Sequence, residues 1–365
     1  MTLCYIANAR IPTEKAHGVQ IMKMCEAFSV RGEQVTLLVP RRKNSIITDP
    51  FEYYGVARNF SIVYLRCFDF VKFGFVGFLI QSASFALSAW WYVLSHRPDH
   101  VYGRDEFSLF LLSLFRRTIT WEAHSGRWNI VIKILTARSR HVVAISLGLR
   151  NFLASRGVPE KKIVVAHDAV DMEAFTPTLS LSEARTTLGL PLDQKIALYT
   201  GHLYPWKGAD TFARAAALEP DVLFVVVGGT DSAVSDFKKK YASKNMRIIG
   251  HRPHTQIPLW LTAADVLVLP NTAKDDTSRL YTSPMKLFEY MASGRPIVAS
   301  RLPSISEVLS DKTAILVTPD DPATLAGGIR RGLENRELGF ASKREAVKYT
   351  WAARADRILE TIYVR

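Results

Sequence analysis

The chain has 365 residues, 48% of them hydrophobic and 22% charged, with a formal net charge of +13; this excludes a disordered or fibrous chain and suits two domains. Its three cysteines (Cys4, Cys25, Cys67) lie far apart with no C-x-x-C, which excludes a disulfide framework or a cysteine zinc site and fits a reducing compartment. Nine histidines without an H-E-x-x-H announce no metal site, and the opening MTLCYIANAR lacks the basic start and apolar core of a signal peptide, so a cytoplasmic chain is expected.

Short β-branched runs alternate with helical patterns from end to end, the signature of βα units around parallel sheets and hence of an α/β fold. Strands are expected at residues 3–7, 34–39, 61–65, 100–103, 119–121, 142–145 and 163–165, with helices in the gaps, for example at 17–31 and 146–156. Residues 166–182 contain Pro177 and show no periodicity, which marks a linker. A second strand series follows at 196–200, 222–227, 246–249, 266–269, 296–299 and 314–317, and one helical stretch, 344–363, ends the chain.

Charge is uneven along this plan. Residues 1–170 hold 22 Lys+Arg against 12 Asp+Glu, whereas residues 171–365 hold 25 against 22. An acidic partner should therefore meet the first half, where Arg41-Arg42-Lys43, Arg116-Arg117 and Arg138/Arg140 cluster. Residues 73–95 form a run of 23 without charge, long enough to span a bilayer by the criterion of roughly 20 residues. Gly77, Gln81, Ser84, Ser88 and Ser95 draw one small, polar stripe along that helix, with Phe75, Phe78, Leu79, Phe85, Leu87, Trp90 and Trp91 around it. A wholly buried helix and an interfacial one are the leading alternatives. A true span is disfavoured, because the segment lies between two strands of one sheet.

Four places look chemical. In 282–296, Ser283 suits an N-cap and Pro284 the first helical position, so the N–H groups of Met285 and Lys286 would face an anion. Glu289 follows on the same helix face, able to accept hydroxyls from a sugar beside that anion. In 199–208, a strand ends at Gly201 and Lys207 stands where the next helix begins, a placement that a bound diphosphate would favour. Gly18, in Ala16-His17-Gly18, allows close approach at another helix start, though neither a G-x-G-x-x-G nor a G-x-x-x-x-G-K-[ST] is present. Glu122 and His124 fall on one side of a strand at the carboxyl edge, where open α/β sheets bind ligands, and Arg104 and Asp105 should reach the same edge. For each place an ordinary structural role stands beside the chemical one. Asp275-Asp276 reads as a solvated loop rather than a metal site.

Together these motifs resemble the retaining glycosyltransferases of the GT-B fold, glycosyltransferase family 4. The resemblance runs in order through His17-Gly18, Glu122-x-His124, the stretch 163–175 (IVVAHDAVDMEAF), Gly201…Lys207-Gly208, Val227-Gly228-Gly229, Ile249-Gly250, residues 283–289 and Ala292-x-Gly294-x-Pro296. It implies two Rossmann-like parallel-sheet domains facing each other across a cleft: an acceptor domain at 1–168, a linker at 169–182, a donor domain at 183–345, and a final helix, 346–365, returning to the first domain. It implies a nucleotide-diphosphate-sugar donor, with Lys207 and the Met285/Lys286 amides on the diphosphate and Glu289 on the ribose. Gly201, His202, Arg252, Tyr281, Ser283 and Pro284 would complete the donor site, and Gly18 and His124 would close on the phosphate and the transferred sugar. Catalytic roles would fall to His124, Lys207 and Glu122, with Arg104 on the acceptor side. No metal or other cofactor is implied.

Two positions depart from the family pattern. His202 stands where an arginine is usual, and Tyr281 where the first of two glutamates is usual, which leaves the donor sugar open. The acceptor expected is a lipid-linked one or a glycan in cell-surface polysaccharide synthesis, reached by a peripheral enzyme on an anionic membrane surface. Rival readings are a GT-B epimerase or hydrolase using Glu122 and His124, and a nonenzymatic basic binding protein. A nucleic-acid partner is not expected, since Arg41-Arg42-Lys43 lacks interleaved aromatics.

Overall fold

The computed structural model describes residues 1–116 and 118–363; Arg117 of the basic pair noted above lies outside the described residues. Two compact units emerge, one of Met1–His167 with Trp351–Arg365 and one of Asp168–Thr350. The first holds a parallel sheet of β1 (Thr2–Ile6), β2 (Gln34–Pro40), β3 (Ser61–Leu65), β4 (His100–Gly103), β5 (Ile119–Ala123), β6 (His141–Ala144) and β7 (Ile163–Val165), in the order β3-β2-β1-β4-β5-β6-β7. The second holds β8 (Lys195–Thr200), β9 (Val222–Val227), β10 (Met246–Gly250), β11 (Val266–Leu269), β12 (Ile297–Ser300) and β13 (Ile315–Val317), also parallel, in the order β10-β9-β8-β11-β12-β13.

Helices cover both faces of such sheets, so the inner strands are apolar throughout rather than alternating. In the second unit, Leu198, Val225, Leu267 and Ile297 pack into one core, while Tyr199, Phe224, Val226 and Val298 pack into the other. Strand order reverses direction between β1 and β4, and again between β8 and β11. At these switch points the loops leaving the carboxyl ends part to opposite faces and open a crevice. Residues following β1, β4 and β8 are therefore the ones placed to meet a ligand.

The chain end differs from the single helix expected over 344–363. One helix, Glu337–Ala346, stays in the second unit, and a short turn, Val347–Tyr349, ends it. Thr350 is extended and bridges to Val170, and a new helix starts at Trp351. That helix packs in the first unit against the helix Ala16–Val30, with Arg31 paired to Asp356 and the Tyr363 hydroxyl donated to Glu33. Residues 169–182 are not an unstructured connector. Asp171 caps the short helix Met172–Phe175, Phe175 is buried in the second unit's core, and Ser180 opens the next helix with a capping box.

The uncharged run forms the helix Gly74–His96, and of the two leading alternatives complete burial fails. Gly77, Gln81, Phe85, Ala89 and Val93 face inward, but Phe75 is 74% and Trp91 68% exposed, with Phe73, Val76, Phe78 and Leu87 on the same outer side. The small, polar stripe serves a local purpose. A Cβ on Gly77 would stand 1.8 Å from the Phe70 carbonyl oxygen, Ser84 Oγ accepts the Phe68 N–H at 3.0 Å, and Ser88 Oγ donates to the Arg66 carbonyl at 2.7 Å. The segment 66–70 thus lies along the stripe. The helix also packs on that of Glu106–Ser113, inside the first unit, and by length and composition alone it is long and apolar enough to cross a membrane.

Candidate active site

In the second unit, β8 ends at Thr200 and the chain turns at Gly201 with φ +125°, a conformation that side chains disfavour. The Tyr290 hydroxyl accepts the Thr200 N–H at 2.8 Å, tying the helix Met285–Ser293 to the strand end. Lys286 and Tyr290 are four residues apart and Glu289 lies between, so all three share one helix face. A Cβ on Gly201 would lie 3.9 Å from Lys207 Nζ and 3.9 Å from Lys286 Cδ. Two lysine side chains from different elements therefore close on one glycine.

Lys207 closes the short turn Pro205–Lys207, and the next helix begins only at Ala209. It stands outside the helix rather than at its first position, contrary to the sequence expectation. Gly208, at φ +70°, makes the break, and a Cβ there would stand 1.7 Å from the Pro270 carbonyl oxygen. The Lys207 ammonium lies 5.2 Å from the Trp206 ring centre and 5.6 Å from that of Tyr204. Burial pushes it down to about 8, with Glu289 opposing. Lys286 is held well below the usual lysine range, by burial first and by the Lys207 charge second, against the pull of Glu289.

Glu289 is buried, and His254 Nε2 lies 2.7 Å from its Oε1. An ionised carboxylate only accepts, so Nε2 carries the proton of this bond. Phe175 backs the His254 ring at 5.4 Å. Sequence reasoning chose Arg252 and missed His254, two residues on; Arg252 donates to its neighbour His251's carbonyl at 2.9 Å. Ser283 is not the cap expected of it. Pro284 takes the cap position without a side-chain bond, and Ser283 Oγ accepts the Asp168 N–H at 2.8 Å. The first-turn N–H groups of Met285 and Lys286 thus have no side-chain cap, as an anion site requires. The His202 ring stacks on Tyr204 at 5.1 Å, and Tyr281 ends a wide turn, Thr277–Tyr281, half-buried. Asp275 and Asp276 lead into that turn on the solvent side: Asp275 accepts the Thr277 N–H at 2.8 Å and Asp276 pairs with Arg279 at 2.7 Å.

In the first unit the organising group is Glu122, on β5 and fully buried. Gln20 Nε2 donates to its Oε1 at 2.6 Å, the Tyr102 hydroxyl donates to Oε2, and Arg354 Nη2 lies 3.1 Å from Oε1. His124 Nε2 lies 2.6 Å from the same Oε1. Burial alone would raise the Glu122 carboxyl, yet the Arg354 guanidinium and the His124 bond hold it well below the usual carboxylate range. A carboxylate so saturated is no free base. It holds His124 with the proton on Nε2 and leaves Nδ1 with a lone pair. Burial, then Arg104, push the His124 imidazole down to about 4, so it is neutral at pH 7.

Arg104 Nη1 donates to Gln20 Oε1 at 2.8 Å, which orients the amide that serves Glu122. Asp105 caps the helix Glu106–Ser113, accepting the Ser108 N–H at 2.9 Å. Gly18 lies within the first turn of the helix Ala16–Val30, and its N–H donates to the Lys15 carbonyl at 2.9 Å, so that amide is not free for phosphate. The missing side chain makes room instead: a Cβ would stand 2.2 Å from the Tyr54 hydroxyl. Arg354, Gln20 and Tyr102 had no sequence signal, since they meet Glu122 only through the sheet order and the last helix.

A family model described as glycosyl transferases group 1 matches residues 194–335, and one described as glycosyltransferase family 4 matches residues 17–174. A D-inositol 3-phosphate glycosyltransferase of Corynebacterium diphtheriae is 27% identical over 227 residues, covering 56% of this chain and 51% of that protein. The chain spans about half the length of the curated relatives it matches. Among solved structures, sucrose-phosphate synthase from Thermosynechococcus elongatus superposes with a TM-score of 0.81 at 18% identity, over 98% of this chain and 97% of that one. HepE of Anabaena, solved with UDP and glucose, gives a TM-score of 0.78 at 16% identity, over 100% and 99%.

Proposed function

We propose that this chain, which belongs to the group 1/family 4 glycosyltransferases of the GT-B fold, is a transferase that moves a sugar, with retention, from a nucleoside-diphosphate sugar to a lipid-linked or glycan acceptor at the cytoplasmic face of a membrane. The observation that carries the donor is the pair of lysines closing on Gly201 beside the uncapped start of the Met285–Ser293 helix. Cations and free N–H groups there suit a diphosphate, and Glu289 suits a ribose hydroxyl. A relative in fold, HepE, was solved with UDP-glucose, which makes that donor a natural first choice.

In this reading the acceptor oxygen bonds to the sugar's anomeric carbon on the face from which the diphosphate leaves. The carbon–oxygen bond to phosphate breaks, and the acceptor's proton passes to the departing phosphate oxygen. The protein's part is positioning and stabilising the departing charge, in which Lys207 counts most. His124, neutral and with Nδ1 open, accepts a hydrogen bond from a hydroxyl of the transferred sugar, and Glu122 with Arg354 fixes its ring.

The membrane part of the reading rests on the outer face of the Gly74–His96 helix. Phe73, Phe75, Phe78 and Trp91 are exposed there, with Arg66 and Lys72 exposed close by in sequence. Aromatics flanked by cations suit the headgroup region of an anionic leaflet. Two assays test the proposal. Incubation with UDP-glucose, UDP-galactose and GDP-mannose plus lipid-extract acceptors should release the nucleoside diphosphate and give a product whose anomeric proton coupling matches the donor's; an inverted product removes the retaining mechanism. Sedimentation with anionic vesicles at low salt should retain the protein and lose it in Phe75→Ser/Trp91→Ser, while equal binding of both proteins removes the membrane face.

A further inference from the structure

We propose that the side-chain ammonium of Lys286 is a second direct contact to the donor's diphosphate, paired with Lys207 across Gly201, and that donor binding brings proton uptake at this pair. The inference rests on the donor-site reading above and deepens it. Lys286 is only 8% exposed, and its Nζ has no hydrogen-bond partner among the described residues. It lies 4.0 Å from the ring centre of Tyr199, which offsets part of the desolvation but supplies no acceptor. A buried lysine amine without an acceptor, its charged form disfavoured by burial and by Lys207, is a costly group for a fold to carry, so its retention calls for a ligand.

The surroundings define that ligand's charge. The charged groups that act on Lys286 are Lys207, from the turn after β8, and Glu289, one turn along its own helix. Glu289 already accepts from His254, and the remaining neighbours, Tyr199 and Tyr290, are neutral phenols whose hydroxyls bond to the His202 carbonyl and to Thr200. Two ammonium groups and an uncapped helix start thus face one carboxylate. A diphosphate diester carries more than the one negative charge that is missing, and the Gly201 notch, with no Cβ, lets it approach both lysines.

Proton uptake follows with a definite sign. An anion between the lysines favours their charged forms and raises both values on binding. Lys207, down to about 8 in the free protein, is charged below that pH, and affinity is then at its full value. As pH rises through 8 the free protein loses that charge, and binding must take up a proton. Lys207 alone then lowers donor affinity about tenfold between pH 7 and pH 9. Lys286, held well below the usual lysine range by burial and by the charge on Lys207, adds uptake in the same direction.

The test is calorimetric titration of the full chain with UDP-glucose and with GDP-mannose, whose phosphates do not titrate in this range, in two buffers of different ionisation enthalpy at pH 7.5. The wild type should show net proton uptake with whichever donor binds. Lys286→Met should weaken binding about tenfold or more, lower the uptake, and raise the thermal midpoint, since it removes a buried polar group without a hydrogen-bond partner. Lys286→Gln serves as a second variant of similar length. Wild-type affinity in both variants, or no proton uptake by the wild type, overturns the inference. If Lys207→Ala and Glu289→Gln also bind as the wild type, the donor-site reading itself falls; if only Lys286 proves indifferent, that reading stands without this contact.

Discussion

Replacing Arg354 by methionine strips the buried carboxylate of Glu122 of its counter-charge. Removing one partner of a buried ion pair typically destabilises by about 3–5 kcal/mol, because the other is left uncompensated. Three donors remain on Glu122, from Gln20, His124 and Tyr102, which places the effect near the lower end, about 3 kcal/mol. Arg354 also donates to the His167 carbonyl at 2.8 Å, a bond methionine cannot replace. At about 2–4 °C per kcal/mol for a unit of this size, the thermal midpoint should fall by about 6–12 °C. The sign of the pH dependence is fixed as well. The carboxyl is held well below its unfolded value, so it contributes stability that is present above about pH 4.3 and lost as pH falls through the folded value. Without Arg354, burial, already the largest single influence, meets less opposition and raises the carboxyl, so the variant gains from protonation. Its deficit should be largest at pH 7–8 and shrink toward pH 5, and adding Glu122→Gln should recover much of it. Scanning calorimetry of the two single variants and the double variant supplies the cycle. A midpoint loss under about 3 °C, or a deficit unchanged between pH 5 and 8, refutes the pairing argument.

Three further outcomes are expected. His124, down to about 4, should contribute no titration to kcat/KM between pH 5.5 and 7.5, and a step near pH 6.5 that disappears in His124→Gln would contradict its neutral state. Transfer should persist in excess chelator, because Lys207 and Lys286 offset the diphosphate charge; loss of activity with rescue by manganese would bring Asp275 and Asp276 back as ligands. Gly208→Ala should destabilise by about 3 kcal/mol or more and weaken donor binding, since its Cβ would stand 1.7 Å from the Pro270 carbonyl oxygen, and circular dichroism melts check this directly.

The sheets were legible because buried parallel strands such as β9, VLFVVV, are short apolar runs that no amphipathic helix imitates. The break at 347–350 was not, since it depends on the bridge from Thr350 to Val170, a partner 180 residues away. Nor was the exposure of Phe75 and Trp91: a helix apolar nearly all round reads as buried, and the packing of residues 66–70 along Gly77, Ser84 and Ser88 decides which side is inward. For the site, Gly201, Lys207 and the 283–289 stretch were visible as local turn and helix-start signals. His254 and Arg354 act through side chains brought from elsewhere in the chain, and local spacing carries no trace of such partners. Ser283 misled because a good capping residue found a better use, the Asp168 N–H.

The central claim is that the second unit holds a nucleoside-diphosphate sugar between Lys207, the start of the Met285–Ser293 helix and Glu289. Its most direct test is donor affinity and turnover measured side by side in Lys207→Ala and Glu289→Gln. Glu289→Gln turns a charge-assisted ribose contact into a neutral one and should weaken donor affinity by about 1–2 kcal/mol with turnover nearly kept. Lys207→Ala should lower turnover more than affinity, because charge on the leaving diphosphate grows toward the transition state. Donor affinity and turnover unchanged in both correctly folded variants would contradict the account and move the donor away from Gly201.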